Sequence, residues 1–206
     1  MTTLEARLGR IREKLKELTR RDTGLQVFGA GTSFGHGYER RPTFTETEIV
    51  ALEMSFGVEL PTELRQFLST VHGGGAGPGY GFFLTPDAVP RARRSRPFPF
   101  GTSDARVVIA RRLAGGKTRW ETLRAPNEDS EEDDDYPPGP GFVPLAHQGC
   151  GVFDVIVVTG EQRGFMWWYD NAWGPCYARD GSPWTFLDWY ETWLDNGLKS
   201  LSESPR

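Results

Sequence analysis

The sequence predicts one α+β domain: a twisted, mostly antiparallel sheet with helices packed on one face. Three observations carry that expectation. Amphipathic helical patterns stand near both ends of the chain, while "GVFDVIVVT" and "GFMWWYDN" late in the chain are rich in β-branched and aromatic residues. The polar turn "GEQRG" between those two makes them a hairpin. The length of 206 residues is enough for one unstapled core and short for two full domains.

Taken in order, Leu4, Leu8, Ile11, Leu15 and Leu18 recur at steps of three and four, which lines them on one face of a first helix. Residues 22–44 contain Gly24, Gly29, Gly31, Gly35, Gly37 and Pro42 and read as a loop with room for a short strand at 25–28. Thr45 and Glu48 then form a capping box, Ile49, Leu52 and Phe56 a buried stripe, and Gly57 a left-handed stop. Pro61 suits a first helical position, and Leu64, Phe67, Leu68 and Val71 continue that helix until the glycines from Gly73 end it.

"GYGFFLTP" reads as a first strand, and the segment 103–124 reads either as a helix capped by Ser103 or, at Val107–Ile109, as a strand. After the hairpin, "PCYAR" is a third strand candidate, "RDGS" a turn, and Ser182 with Pro183 the opening of a last helix. Its apolar face is Phe186, Trp189 or Tyr190, Trp193 and Leu194, with Asn196 and Gly197 closing it. The expected organisation is an N-terminal helix and Gly-rich loop over 1–43, a domain over 44–198 carrying an acidic loop at 126–140, and a flexible tail at 199–206.

The formal charge of −4 argues against general nucleic-acid binding. Two cysteines, Cys150 and Cys176, are too few for a disulfide scaffold and form no C-x-x-C pair, which fits a reduced, cytoplasmic protein with no membrane span. "EDSEEDDD" at 128–135 holds seven acids in eight residues, too self-repelling to pack, and its functional reading is electrostatic steering of a basic partner.

The stretch "VHGGGAGPGYGF" invites a phosphate-loop reading, but its glycines follow a helix instead of preceding one, so the negative dipole end faces them. Cys150 with His147 and Asp154 has the residue types of a nucleophilic site, and His147 and Cys150 have ligand-like spacing. Neighbours three apart on a turn seldom reach one another, and His36, His72 and Cys176 are scattered. No catalytic residue, metal site or cofactor is therefore expected. Trp167, Trp168, Trp173, Trp184, Trp189 and Trp193 raise a carbohydrate platform, yet the adjacent Trp167 and Trp168 point to opposite strand faces and most of the rest should be core.

The segments "TETEIVALEMSFGVELPTELRQFLSTVHGGG", "GFVPLAHQGCGVFDVIV", "WWYDN" and "SPWTFLDWYETWLDNGL" together resemble the SUKH superfamily, the Smi/Knr-like proteins. The most specific part is the order helix, Leu60-Pro61, helix, Gly73-Gly74, read as a structural motif. The resemblance spans roughly 44–198. It implies an α+β fold with no shared catalytic residues and, in bacteria, an immunity protein that binds and neutralises a cognate polymorphic toxin, commonly a nuclease or nucleic-acid deaminase. Fungal relatives imply the alternative, a regulatory or scaffolding module. The partner surface is expected at Glu131, Glu132, Asp133, Asp134 and Asp135, with Tyr136 as an aromatic anchor and the protein a monomer or weak homodimer.

Overall fold

A computed structural model describes residues 3–84, 91–115, 123 and 137–203. In chain order the elements are α1 (Leu4–Arg21), α2 (Glu46–Phe56), α3 (Thr62–Thr70), the single turn α4 (Arg91–Arg94), α5 (Thr102–Leu113), β1 (Phe142–Gly149), β2 (Val152–Val157), β3 (Met166–Tyr169), β4 (Trp173–Pro175) and α6 (Phe186–Glu203). The four strands form one antiparallel meander in the order β1-β2-β3-β4. The fold is α+β, as the sequence predicts.

Strand alternation sorts the sheet into two faces. Val143, Leu145, Ile156 and Met166 meet the buried stripes of α1, α3 and α6. Phe142, Val155, Val157, Trp167 and Trp173 point the other way, against Phe98, Phe100 and Ala105 of α5. Adjacent Trp167 and Trp168 fall into the second and first groups respectively.

Helix α1 buries Leu8, Ile11, Leu15 and Leu18, the expected stripe. It runs parallel to α6, with Arg7 bonded to Asp188, Arg10 to Glu191, Lys14 to Asp195 and Arg21 to Ser202. The capping box of α2 is present: Thr45 Oγ1 accepts from the Glu48 N–H, and Glu48 Oε2 accepts from the Thr45 N–H at 2.7 Å. Gly57 ends that helix at φ 72°.

Several expectations are corrected. Pro61 is the cap of α3, one residue before the helix, with ψ 142°. No strand forms at 25–28, where Leu25 takes φ 50°. The described part of "GYGFFLTP", residues 79–84, forms no strand: Gly81 turns at φ 121°, and the Tyr80 and Phe83 amides donate to His147 and Leu145 of β1. The third strand falls earlier than "PCYAR", at Trp173–Pro175. Of the two readings offered for 103–124, the helix is the one found, over Thr102–Leu113 and opened by Gly101, not Ser103, with the Gly101 N–H bonded to Asp104 Oδ2.

The last helix is opened by Thr185, not Ser182. Its side chain and N–H both bond Asp188 Oδ2, at 2.9 Å each. Nor do Asn196 and Gly197 close it, since α6 runs on to Glu203. Gly197 lies inside the helix where an added Cβ would sit 3.0 Å from a Leu18 methyl, so its role is close approach to α1.

Candidate functional site

Segments far apart in sequence converge on one open cleft of about 500 Å³. Its helical wall is α6, from which Trp189, Thr192, Trp193, Asn196 and Ser200 project at steps of three and four. Facing them are Gln26, Val27 and Phe28 from the loop after α1, then Pro78 and Gly79. Gln148 of β1, Asp154 of β2, Cys176 just past β4 and Trp184 complete the lining.

The loop wall is held by one buried carboxyl. Asp22, 2% exposed, accepts from the N–H groups of Gln26 at 2.7 Å and Val27 at 2.9 Å and from the Tyr38 hydroxyl at 2.7 Å. Burial opposes the charge on Asp22, but these bonds and nearby His36 outweigh it, so the carboxyl titrates below its ordinary range. Burial pushes His36 down to about 4, leaving it neutral at pH 7. Gly29, at φ 82°, presses so closely on Gly79 that an added Cβ would lie 1.7 Å from the Gly79 carbonyl oxygen. The two loops therefore pack against each other as one wall. Phe28 stands on the rim, 58% exposed, with its ring 5.7 Å from that of Tyr80.

Asp154 occupies a strand position where the alternation calls for an apolar side chain, in line with Ile156 on the helix-facing side. It is 8% exposed, and its Oδ2 accepts both from Gln148 Nε2 at 2.6 Å and from Trp189 Nε1 at 3.0 Å. Burial pushes the Asp154 carboxyl up, against the pull of those two bonds. Burial and the neighbouring Asp154 also push the Cys176 thiol up, which keeps it protonated and unreactive at neutral pH.

The sequence-predicted residues are not gathered here. Cys150 is exposed at the β1–β2 turn at φ 51°. His147 stands opposite Phe153, its ring 4.7 Å from that side chain, whereas Asp154 stands opposite Ala146 on the other face. Among the described residues no hydrogen bond joins Cys150, His147 and Asp154. His72 lies apart and buried, its Nδ1 accepting from the Gly74 N–H and its Nε2 2.8 Å from the Tyr190 hydroxyl, which donates to the Ala76 carbonyl. Among the described residues no group of three His, Cys, Asp or Glu is placed to hold a metal.

Leu60 is buried, and Gly73 packs where an added Cβ would meet the Pro42 carbonyl at 2.4 Å. Gly74 accepts from the Arg41 N–H, so the glycine run pairs with backbone at 39–42 and cradles no anion. Glu131, Glu132, Asp133, Asp134, Asp135 and Tyr136 lie outside the described residues. Sequence reasoning missed the cleft as a unit. The one signal for it was a carboxyl set among apolar residues in "VFDVIVV".

An antiparallel meander with a three-helix layer on one face, an aromatic plug on the other and a cleft lined in part by indoles makes a small α+β domain. Residues 43–189 match the model of the SMI1 / KNR4 family (SUKH-1), and the chain belongs to that family. No curated protein and no solved structure matches it significantly. The match begins after α1 and ends within α6. No described helix is long and apolar enough to cross a membrane.

Proposed function

We propose that this protein is a non-catalytic, cytoplasmic immunity protein that binds a cognate polymorphic toxin domain, a nuclease or nucleic-acid deaminase, and neutralises it by direct contact. Membership of the SMI1 / KNR4 family carries this reading, because bacterial proteins of that kind commonly serve as immunity proteins. Binding without chemistry also accords with the separation of Cys150, His147 and Asp154. The acids Glu131, Glu132, Asp133, Asp134 and Asp135, beside Tyr136, carry negative charge of the sign that complements a basic nuclease.

The test is co-expression with the product of any toxin gene found next to its own. Protection of the host and one-to-one copurification are expected. Failure to protect, together with copurification of several weakly held host proteins, would instead make this a regulatory or scaffolding module. Replacing the five acids by Ser is expected to slow association and flatten its salt dependence; unchanged kinetics would remove the acidic segment from the interface. Cys150→Ala is expected to protect as well as wild type.

A further inference from the structure

We propose that the cleft between α6 and the 26–28 loop is a binding site for a small organic cation, an alkylammonium or guanidinium compound, with Asp154 as its counter-charge and Trp184, Trp189 and Trp193 as its walls. Four observations lead there. Asp154 is nine-tenths buried yet lines the cleft. Both of its protein hydrogen bonds fall on Oδ2, so among the described residues Oδ1 has no donor.

The lining holds no Lys, Arg or His, and among the described residues no cation forms a salt bridge with Asp154. Three indoles, those of Trp184, Trp189 and Trp193, line the cleft, and indole faces attract cations most strongly of the aromatic side chains.

A mostly buried carboxyl with no cationic partner is poorly stabilised as the anion: it either holds its proton or takes up a cation from outside. The Glu191 carboxyl shows the contrast within the same helix layer. It is also mostly buried, but Arg7, Arg10 and Lys14 surround it. The Asp154 carboxyl is held by Gln148 and Trp189 without any of the cations that Glu191 has. The cleft volume of about 500 Å³ exceeds that of one ammonium or guanidinium head, which leaves room for an alkyl stem along Trp184 and Phe28. A neutral ligand such as a sugar would find hydrogen-bonding partners in Gln26, Thr192 and Asn196, but would draw no charge attraction from Asp154.

Titration of the full-length protein with agmatine, putrescine and tetramethylammonium, followed by tryptophan fluorescence and calorimetry, tests this. Saturable binding of at least one cation is expected, with n-butanol, urea and glucose inert. Asp154→Asn should weaken that binding on the order of thirtyfold or more, the loss expected when one member of a desolvated charge pair is removed. Asn196→Lys, an exposed position on the rim, should place a tethered ammonium in the cleft and block the added cation with the fold intact. If no cation binds, if glucose binds as well as the cations, or if both variants bind like wild type, the proposal is overturned. An Arg- or Lys-bearing peptide that binds where the free cations do not would overturn it in favour of a protein partner's side chain. Because these titrations involve no toxin, their failure leaves the immunity reading standing, and loss of toxin protection leaves this one standing.

Discussion

The two faces of the sheet are built on opposite plans. On the α5 side, Phe98, Phe100, Phe142, Trp167 and Trp173 close into a plug whose rings meet at 4.9–6.5 Å, mostly edge to face. Among the described residues, the buried Trp167 and Trp173 N–H groups have no hydrogen-bond partner. On the α1/α6 side the core is larger and admits Asp22, His72, Asp154 and Glu191, each given specific hydrogen bonds. Placing polar groups in a core costs stability unless their partners are supplied, and the face that carries them is also the one that opens into a cleft. One side of the sheet stabilises, and the other arranges groups that can recognise.

The strongest way to break this contrast is Trp173→Ala. Its indole is fully buried between Phe98 and Phe142, so the loss expected is about 3–5 kcal/mol by denaturant unfolding. If the plug is purely structural, whatever fraction remains folded should keep the tryptophan signal of the α6 cleft. A loss below about 1 kcal/mol would show that this face is loosely packed.

Acid should act on the helix side. Burial holds His72 down to about 4, below its ordinary 6.5, so the unfolded chain takes up the proton first. The stability His72 confers is complete above about pH 6.5 and is lost as the pH falls toward 4. The expected loss is about 2–3 kcal/mol at pH 4.5. The difference between wild type and His72→Gln, measured at pH 7 and pH 4.5, isolates that contribution from other titrating groups. An equal pH dependence in both proteins would assign the acid sensitivity elsewhere.

A smaller change should follow at Glu191. Burial alone would raise its carboxyl, but bonds from Arg10, Lys14 and Arg7 outweigh it and hold it down to about 2. Since its pKa is lower folded than unfolded, its contribution is present above about pH 4.5 and lost on acidification toward 2. Glu191→Gln is expected to cost about 1–2 kcal/mol at neutral pH, discounted because Arg10 is half exposed to solvent, and the cost should shrink in high salt. A cost independent of salt would point to packing of the side chain instead of its charge.

What could be read from the sequence was local. The α1 stripe, the Thr45–Glu48 capping box and the β2–β3 hairpin each depend on residues within a few positions of one another, so spacing and residue type suffice. The strand β1 carries Pro144 and two register irregularities, and its place is decided by pairing with β2, which alternation alone does not display. "GYGFFLTP" has strand-like aromatics, but its backbone follows the glycines. The cleft was less legible still, because Gln26, Pro78, Gln148, Asp154 and Trp193 are neighbours only after folding. Asp154 and the tryptophans were each visible in the sequence. Their meeting was not.

The parallel run of α1 and α6 has a consequence for how the chain can be re-wired. Residue 3 and residue 203 lie at opposite ends of a helix pair, each helix 18 residues and so about 27 Å long. Joining those points for a circular permutant would take roughly eight or more extended residues laid along the outside of the pair. Conversely, reporter domains fused before residue 3 and after residue 203 would sit well apart, one at each end of the rod that the two helices make.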